Sequence, residues 1–249
     1  MDETWWIYLG VGMAAQLVDG ALGMAFGVTA SSLMLSMGTA PAQASALVHV
    51  AEIFTTAASG ASHIANRNID WSIVKRIVIT GCIGGALGAT VLSSIDGKLI
   101  APFIAAYLFF MGVIILLKAA RQFGVVDAQG RSLPVIGFAG GFLDAIGGGG
   151  WGPIVTSTLI GEGRVPRYVI GSANLSEFPV TVVTSTAFFV MLGLVDLTLL
   201  VPLVLGGLII APFAGYLTRF IPARGLMVMV GCLILFLSGR TLLKLAGWI

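Results

Sequence analysis

Asp144-Ala145-Ile146-Gly147-Gly148-Gly149-Gly150-Trp151-Gly152-Pro153 interrupts an apolar run, and 125 places earlier Asp19-Gly20-Ala21-Leu22-Gly23-Met24-Ala25-Phe26-Gly27-Val28 interrupts another. Slid by that offset without a gap, Asp19 falls on Asp144, Gly23 on Gly148, Gly27 on Gly152, Ser32 on Ser157, Gly38 on Gly163, Pro41 on Pro166, Glu52 on Glu177 and Thr56 on Thr181. Residues 19–61 hold two acids, and both meet an identical acid, which a shared apolar composition would not arrange. The chain therefore contains an internal repeat. Duplicated halves with broken hydrophobic segments and paired polar residues point to a secondary transporter.

Composition sets the solvent. With 57% hydrophobic and 10% charged residues and a mean hydropathy of +1.03, the chain falls far short of the roughly 25% charge of soluble domains and belongs in a bilayer. The 34 glycines fit, because glycine lets membrane helices approach closely. Asp2 and Glu3 stand where a signal peptide would be basic, so none is expected. Cys82 and Cys232 lie in apolar runs and read as small packing residues. A net charge of +2, with the basic residues dispersed at segment ends, argues against a nucleic-acid partner.

Each half shows five hydrophobic segments, at 5–18, 25–37, 43–64, 73–94 and 99–119, and at 133–143, 153–160, 168–192, 197–220 and 225–246. A crossing needs about 20 residues, so the last three of each set read as spans. The first two of each set are shorter and read as a broken-helix hairpin, either dipping into the membrane or crossing it. Non-helical backbone at that depth is tolerated only inside protein or along a cavity, so the breaks should point inward. The predicted fold is thus an all-α integral membrane protein of two repeats, 1–120 and 133–249, each a short hairpin followed by three transmembrane helices. Residues 121–132, the longest polar break, form the linker.

Three spans and a returning hairpin make an odd number of crossings, so the second repeat should be inverted. Followed through the chain, Arg67, Lys75, Arg76, Lys118, Arg121, Arg131, Arg164, Arg167, Arg219 and Arg224 fall on one side, and Lys98, Arg240 and Lys244 on the other. The positive-inside rule makes the crowded face, and with it the linker, cytoplasmic and puts both termini outside.

Several of these stretches together resemble the sulfite exporter TauE/SafE family of bacterial permeases. They are His63-Ile64-Ala65-Asn66-Arg67-Asn68-Ile69-Asp70-Trp71, the Gly147 to Gly150 string followed by Pro153, and Gly171-Ser172-Ala173. The resemblance covers nearly the whole chain, and it implies a bacterial inner-membrane protein that exports sulfite or organosulfonates. The first half departs from the pattern: it lacks the glycine string, and Val28 replaces the proline.

The chemistry can be argued without the family. The Gly147, Gly148, Gly149, Gly150 turn strips side chains from the backbone ahead of Pro153, a favoured helix opener, and unpaired N–H groups there would bind an anion. The alternative is that the glycines only permit close packing. Ser45, His49, Glu52, Thr56, Ser59 and His63 step by three or four along one helical face, and Asn174, Glu177, Thr181 and Ser185 repeat the stripe. A carboxylate at a span centre costs roughly 2.5 to 3.5 kcal/mol, so Glu52 and Glu177 should face a cavity or a partner. Asp19 and Asp144, beside glycine-rich turns, either join them or cap helices.

No arginine or lysine lies deep in a segment to offset these acids, so an anionic substrate requires a neutralising proton or sodium ion. The expected coupling groups are Glu52, Glu177, Asp19 and Asp144. The expected substrate groups are the glycine turn with Thr56, Thr156, Ser172, Asn174, Thr181 and His49. His49 with Glu52 also reads as a metal pair or as an enzyme's acid and base, but position 49 is matched by Asn174, and no cysteine or second histidine recurs at ligand spacing. The expectation is therefore no metal, no cofactor and no enzymatic reaction. The partners expected are a small anion, a coupling ion and the lipid bilayer. Uptake of another anion, or a non-transporting structural role, are the alternative readings.

Overall fold

The computed structural model describes residues 3–22, 25–120, 132–162, 164–194, 196–217 and 223–248, and every element among them is helical. The first half comprises α1 (Glu3–Leu22), α2 (Phe26–Ser36), α3 (Pro41–Ala65), α4 (Trp71–Ser94) and α5 (Gly97–Ala120). The second half begins with α6 (Leu133–Gly147). After the glycine turn comes a π-helical stretch, Gly152–Thr156, which runs directly into α7 (Ser157–Gly161). Then follow α8 (Pro166–Leu192), α9 (Leu197–Leu217) and α10 (Ala223–Leu245). Residues 121–131 of the linker, and with them Arg121 and Arg131, lie outside the described residues, as do Arg219, Gly23 and Gly163.

Local chemistry explains the helix starts. Pro41 and Pro166 open α3 and α8, where the missing proline N–H costs nothing. Asp70 caps α4 by accepting from the Ser72 amide at 2.9 Å, and Asp196 does the same for α9 with the Thr198 amide at 2.8 Å. Hydrogen bonds from Ser72 hold the Asp70 carboxyl below its usual range, against a weaker opposing effect of partial burial. Those from Thr198 act in the same way on Asp196.

Helix lengths correct one expectation. The first arm of the first hairpin is not short: α1 continues through Asp19 and Gly20 and reaches 20 residues, about 30 Å at 1.5 Å per residue. The second arms are short, α2 at 11 residues and the stretch 152–161 shorter still, so neither can cross a hydrocarbon core about 30 Å thick. Among the described residues four helices are long and apolar enough to span, at Trp71–Ser94, Gly97–Ala120, Pro166–Leu192 and Met227–Leu245. α3 has the length, with 25 residues, but its polar stripe dilutes the apolar run.

The most extensive pairings are α4 with α6 and α1 with α9, followed by α5 with α10, α4 with α8 and α3 with α8. Glycines set the first two. A side chain at Gly84 or Gly137 would strike the backbone of the partner helix at Phe138 or Ile77, and one at Gly12 or Gly206 would strike Leu203 or Leu9. Large apolar side chains such as Ile79, Phe103, Phe110 and Phe236 remain exposed on α4, α5 and α10, as lipid-facing surfaces require.

Candidate functional site

Both helix breaks turn through left-handed backbone, at Ala25 (φ 114°) and Gly148 (φ 64°), and they lie backbone against backbone. A Cβ on Gly27 would stand 2.6 Å from Gly149 Cα and 3.0 Å from Glu52 Oε1, and one on Gly149 would collide with Gly27 and Val28. Close approach of two backbones therefore requires glycine on both sides of this crossing. Side chains from three helices satisfy the carbonyls of the second break. Ser31 donates to Gly148 O at 2.5 Å, Ser45 to Ala145 O at 2.6 Å and Tyr107 to Gly149 O at 3.3 Å.

The amides of that break are already engaged. Gly148 and Gly149 donate to the Asp144 carbonyl at 2.7 and 3.2 Å. Gly150 and Trp151 donate to Asp144 Oδ1 at 2.5 and 3.1 Å. Asp144 is thus the cap of the half-helix that begins at Gly152. In the first half the Phe26 amide lies against the Asp19 carboxylate, seven residues on, as Trp151 lies from Asp144. The repeated aspartates hold repeated helix breaks.

Around this crossing Asp19, Glu52, Asp144 and Glu177 are all buried, at 7%, 2%, 1% and 8% exposure, and near enough for their charges to act on one another. His49, fully buried, places Nε2 3.2 Å from Asp144 Oδ2. One donor atom from each of His49, Glu52 and Asp144 lies within 4.8 Å of the other two. The Gly27 amide approaches the Glu52 carboxylate, while Glu52 Oε2 is buried without a hydrogen-bond partner.

The remaining expected residues divide. Thr56 donates to the Glu52 carbonyl and Thr181 to the Phe178 carbonyl, so both hydroxyls serve their own helices. Asn174 accepts from Ser59 at 3.1 Å and donates to Ile170 O at 3.0 Å. Ser172 lies elsewhere, exchanging hydrogen bonds with the Asp70 backbone at 2.8 and 3.2 Å at the start of α4. Thr156 is buried in the π-helical stretch.

Sequence reasoning missed Ser31, Tyr107 and Lys118. The ammonium of Lys118, near the end of α5, reaches the Pro153 carbonyl at 3.0 Å, so a side-chain cation does stand at the edge of the second break. Nothing in the linear spacing brings residue 118 beside residue 153. The four-residue step from Ser45 to His49 was the one available signal for Ser45.

The motifs that carried the family resemblance pack together. Gly171 lies under the Asn68 carbonyl, Ser172 binds Asp70, and the Trp151 indole donates to Ala173 O at 3.1 Å. No solved structure matches this chain. A curated relative, described as "Probable membrane transporter protein YtnM" of Bacillus subtilis (strain 168), is 40% identical over an alignment covering 96% of this chain and 82% of the relative. The family profile described as Sulfite exporter TauE/SafE matches residues 8–241. With that match extending over both helix breaks and both polar stripes, the chain belongs to the sulfite exporter TauE/SafE family, a family of membrane transporters and not of enzymes.

Proposed function

We propose that this protein is a secondary transporter that exports a small anion, a sulfur oxyanion such as sulfite or an organosulfonate, across the bacterial inner membrane. Movement of the anion is coupled to a proton or a sodium ion. The observation that carries the reading is the crossing of two helix breaks among four buried carboxylates and His49. Half-helices that end at a shared interior point are how transporters place polar groups at the midplane without exposing backbone to lipid.

The two halves act as inverted repeats that rock about this point, with both termini outside. The exchange of partners between halves, α1 with α9 and α6 with α4, supports two copies of one fold packed about a twofold axis. Glu52, Glu177, Asp19 and Asp144 serve the coupling ion. The substrate meets the Gly147 to Gly150 turn, with His49, Thr56, Thr156, Asn174 and Thr181 in the surrounding helices. Ser172 is the weakest member of that set, since its hydroxyl is held at the α4 cap. Because the Asp144 carboxylate occupies the amides of Gly150 and Trp151, an incoming anion has to compete with it there. Lys118 supplies attraction from the edge of the break.

The test is flux of labelled sulfite, sulfate, thiosulfate and sulfoacetate in proteoliposomes holding the purified protein, each alone and with an unlabelled competitor. Saturable flux of one sulfur oxyanion or sulfonate is the expected result. Flux restricted to small carboxylates would replace the substrate class, and a stable partner protein with no flux of any anion would favour the structural reading.

A further inference from the structure

We infer that His49 and Asp144 share one labile proton and that this proton, not sodium, is the coupling ion; the inference rests on the transport reading above. The tautomer of His49 follows from its neighbours. Ser45 Oγ gives its proton to the Ala145 carbonyl at 2.6 Å, so towards His49 Nδ1, 3.3 Å away, it can only accept. The other neighbour of Nδ1 is the Ser45 carbonyl at 2.8 Å, which also only accepts. Nδ1 must therefore carry a hydrogen. A neutral ring then presents the Nε2 lone pair to Asp144 Oδ2 at 3.2 Å, an oxygen that is itself an acceptor when ionised. Two lone pairs at that distance in a buried site repel unless a proton lies between them. Imidazolium with carboxylate, and imidazole with carboxylic acid, both place one proton in that gap.

The surroundings give that proton a route and a single location. Asp144 is anchored through Oδ1 by the Gly150 and Trp151 amides, which leaves Oδ2 to His49. Glu52 is the adjacent acceptor: one of its carboxylate oxygens lies within 4.8 Å of the ligating atoms of His49 and Asp144, and its Oε2 is buried and unpartnered. Transfer breaks the Nε2–H or Oδ2–H bond and forms an O–H bond on Glu52, so charge balances within the site. The other titratable groups facing this trio are Asp19 on α1, Glu177 on α8 and Tyr107 on α5, and Phe188 of α8 covers the imidazole at 5.8 Å. Lys118, the nearby cation, is engaged by Pro153 O. The equivalent of His49 in the second half is Asn174, which cannot titrate and is held by Ser59 and Ile170, so the repeat offers no second histidine–aspartate pair. Sodium is a hard cation that takes oxygen ligands, and an imidazole nitrogen serves it poorly.

The chain contains two histidines, so full-length protein labelled with 15N-histidine gives two sets of ring signals, and His63→Gln assigns them. The His49 Nδ1 signal should be that of a nitrogen carrying a hydrogen, as its two acceptors require, and the Nε2 signal should move on Asp144→Asn. An unprotonated Nδ1 would overturn the inference. In proteoliposomes, efflux of labelled sulfite should accelerate under a pH gradient and not under a sodium gradient, and in His49→Asn the ratio of flux with and without the pH gradient should fall to about one. Sodium-driven flux, or stoichiometric zinc binding abolished by His49→Asn, would also overturn it. Absence of sulfite flux would count against the substrate reading alone, and the nitrogen signals would then decide the proton.

Discussion

Asp144 divides its carboxylate between two tasks, with Oδ1 closing the half-helix start and Oδ2 facing His49, and this division makes neighbouring residues unequal. Glu52 keeps a buried oxygen without a partner, which a purely structural acid would have satisfied. Glu52→Gln and Glu177→Gln preserve size and most hydrogen bonding while removing the proton site. Gradient-driven flux should fall about tenfold or more in each, while both variants elute as monodisperse protein; unchanged pH and sodium dependence in both would make these acids structural. Gly149 is a different case. Its Cβ would enter the backbone at Gly27 and Val28, so Gly149→Val should cost more than the roughly 1 to 3 kcal/mol of ordinary overpacking. The expected result is loss of folded protein in detergent, read by size-exclusion yield and thermal melting. A well-folded Gly149→Val would show that the two breaks do not touch.

Helix ends and helix crossings carry their own consequences. Asp70 opens α4 and is locked from the other side by Ser172 of α8, so the cap ties two helices together. Asp70→Ala should cost about 1 kcal/mol, measured by thermal melting. Because hydrogen bonds from Ser72 lower the Asp70 pKa in the folded protein, its contribution is present above the unfolded aspartate value near 4 and is lost as pH falls through the folded value. The melting difference between wild type and Asp70→Ala should therefore narrow on acidification, and a difference that grows would refute the cap. At the α4–α6 crossing, Gly84→Leu meets the Phe138 carbonyl and the Phe142 amide, where no side chain can yield. It should destabilise far more than Ile79→Leu on the exposed face of the same helix. Comparable melting of the two variants would disprove the close crossing.

Across the molecule, the first helix of each half packs on the fourth helix of the other, so neither half forms its contacts alone. Two copies of one fold packed about a twofold axis would produce that pattern whether they run parallel or inverted, and orientation is the direct check on inversion. In a background lacking Cys82 and Cys232, cysteines placed next to Arg76 and Arg164 should react only with reagent admitted to the cytoplasmic side. Those placed next to Lys98 should react from outside. Labelling of the Arg76 and Arg164 positions from outside would remove both the orientation and the inverted arrangement.

Membrane residence, the helical class and the family were all legible in the linear chain. Each rests on properties that sum or recur along it: hydropathy, the spacing of breaks and the paired acids. Glu52 and Glu177 stood out because a carboxylate in an apolar run is expensive wherever it ends up. Where the glycine-turn amides point was not legible, because hydrogen bonding depends on which groups meet across space. The amides expected to be exposed in the Gly147 to Gly150 turn are taken by Asp144, those of Gly148 and Gly149 by its carbonyl and that of Gly150 by its carboxylate. Likewise the pairing of His49 with Asp144 spans 95 positions, and that of Lys118 with Pro153 spans 35. Packing of α3 against α8, and of the two breaks against each other, decides those distances. A periodic pattern can name the face of a helix, but only the tertiary structure decides which acceptor stands opposite it and so where the proton must sit.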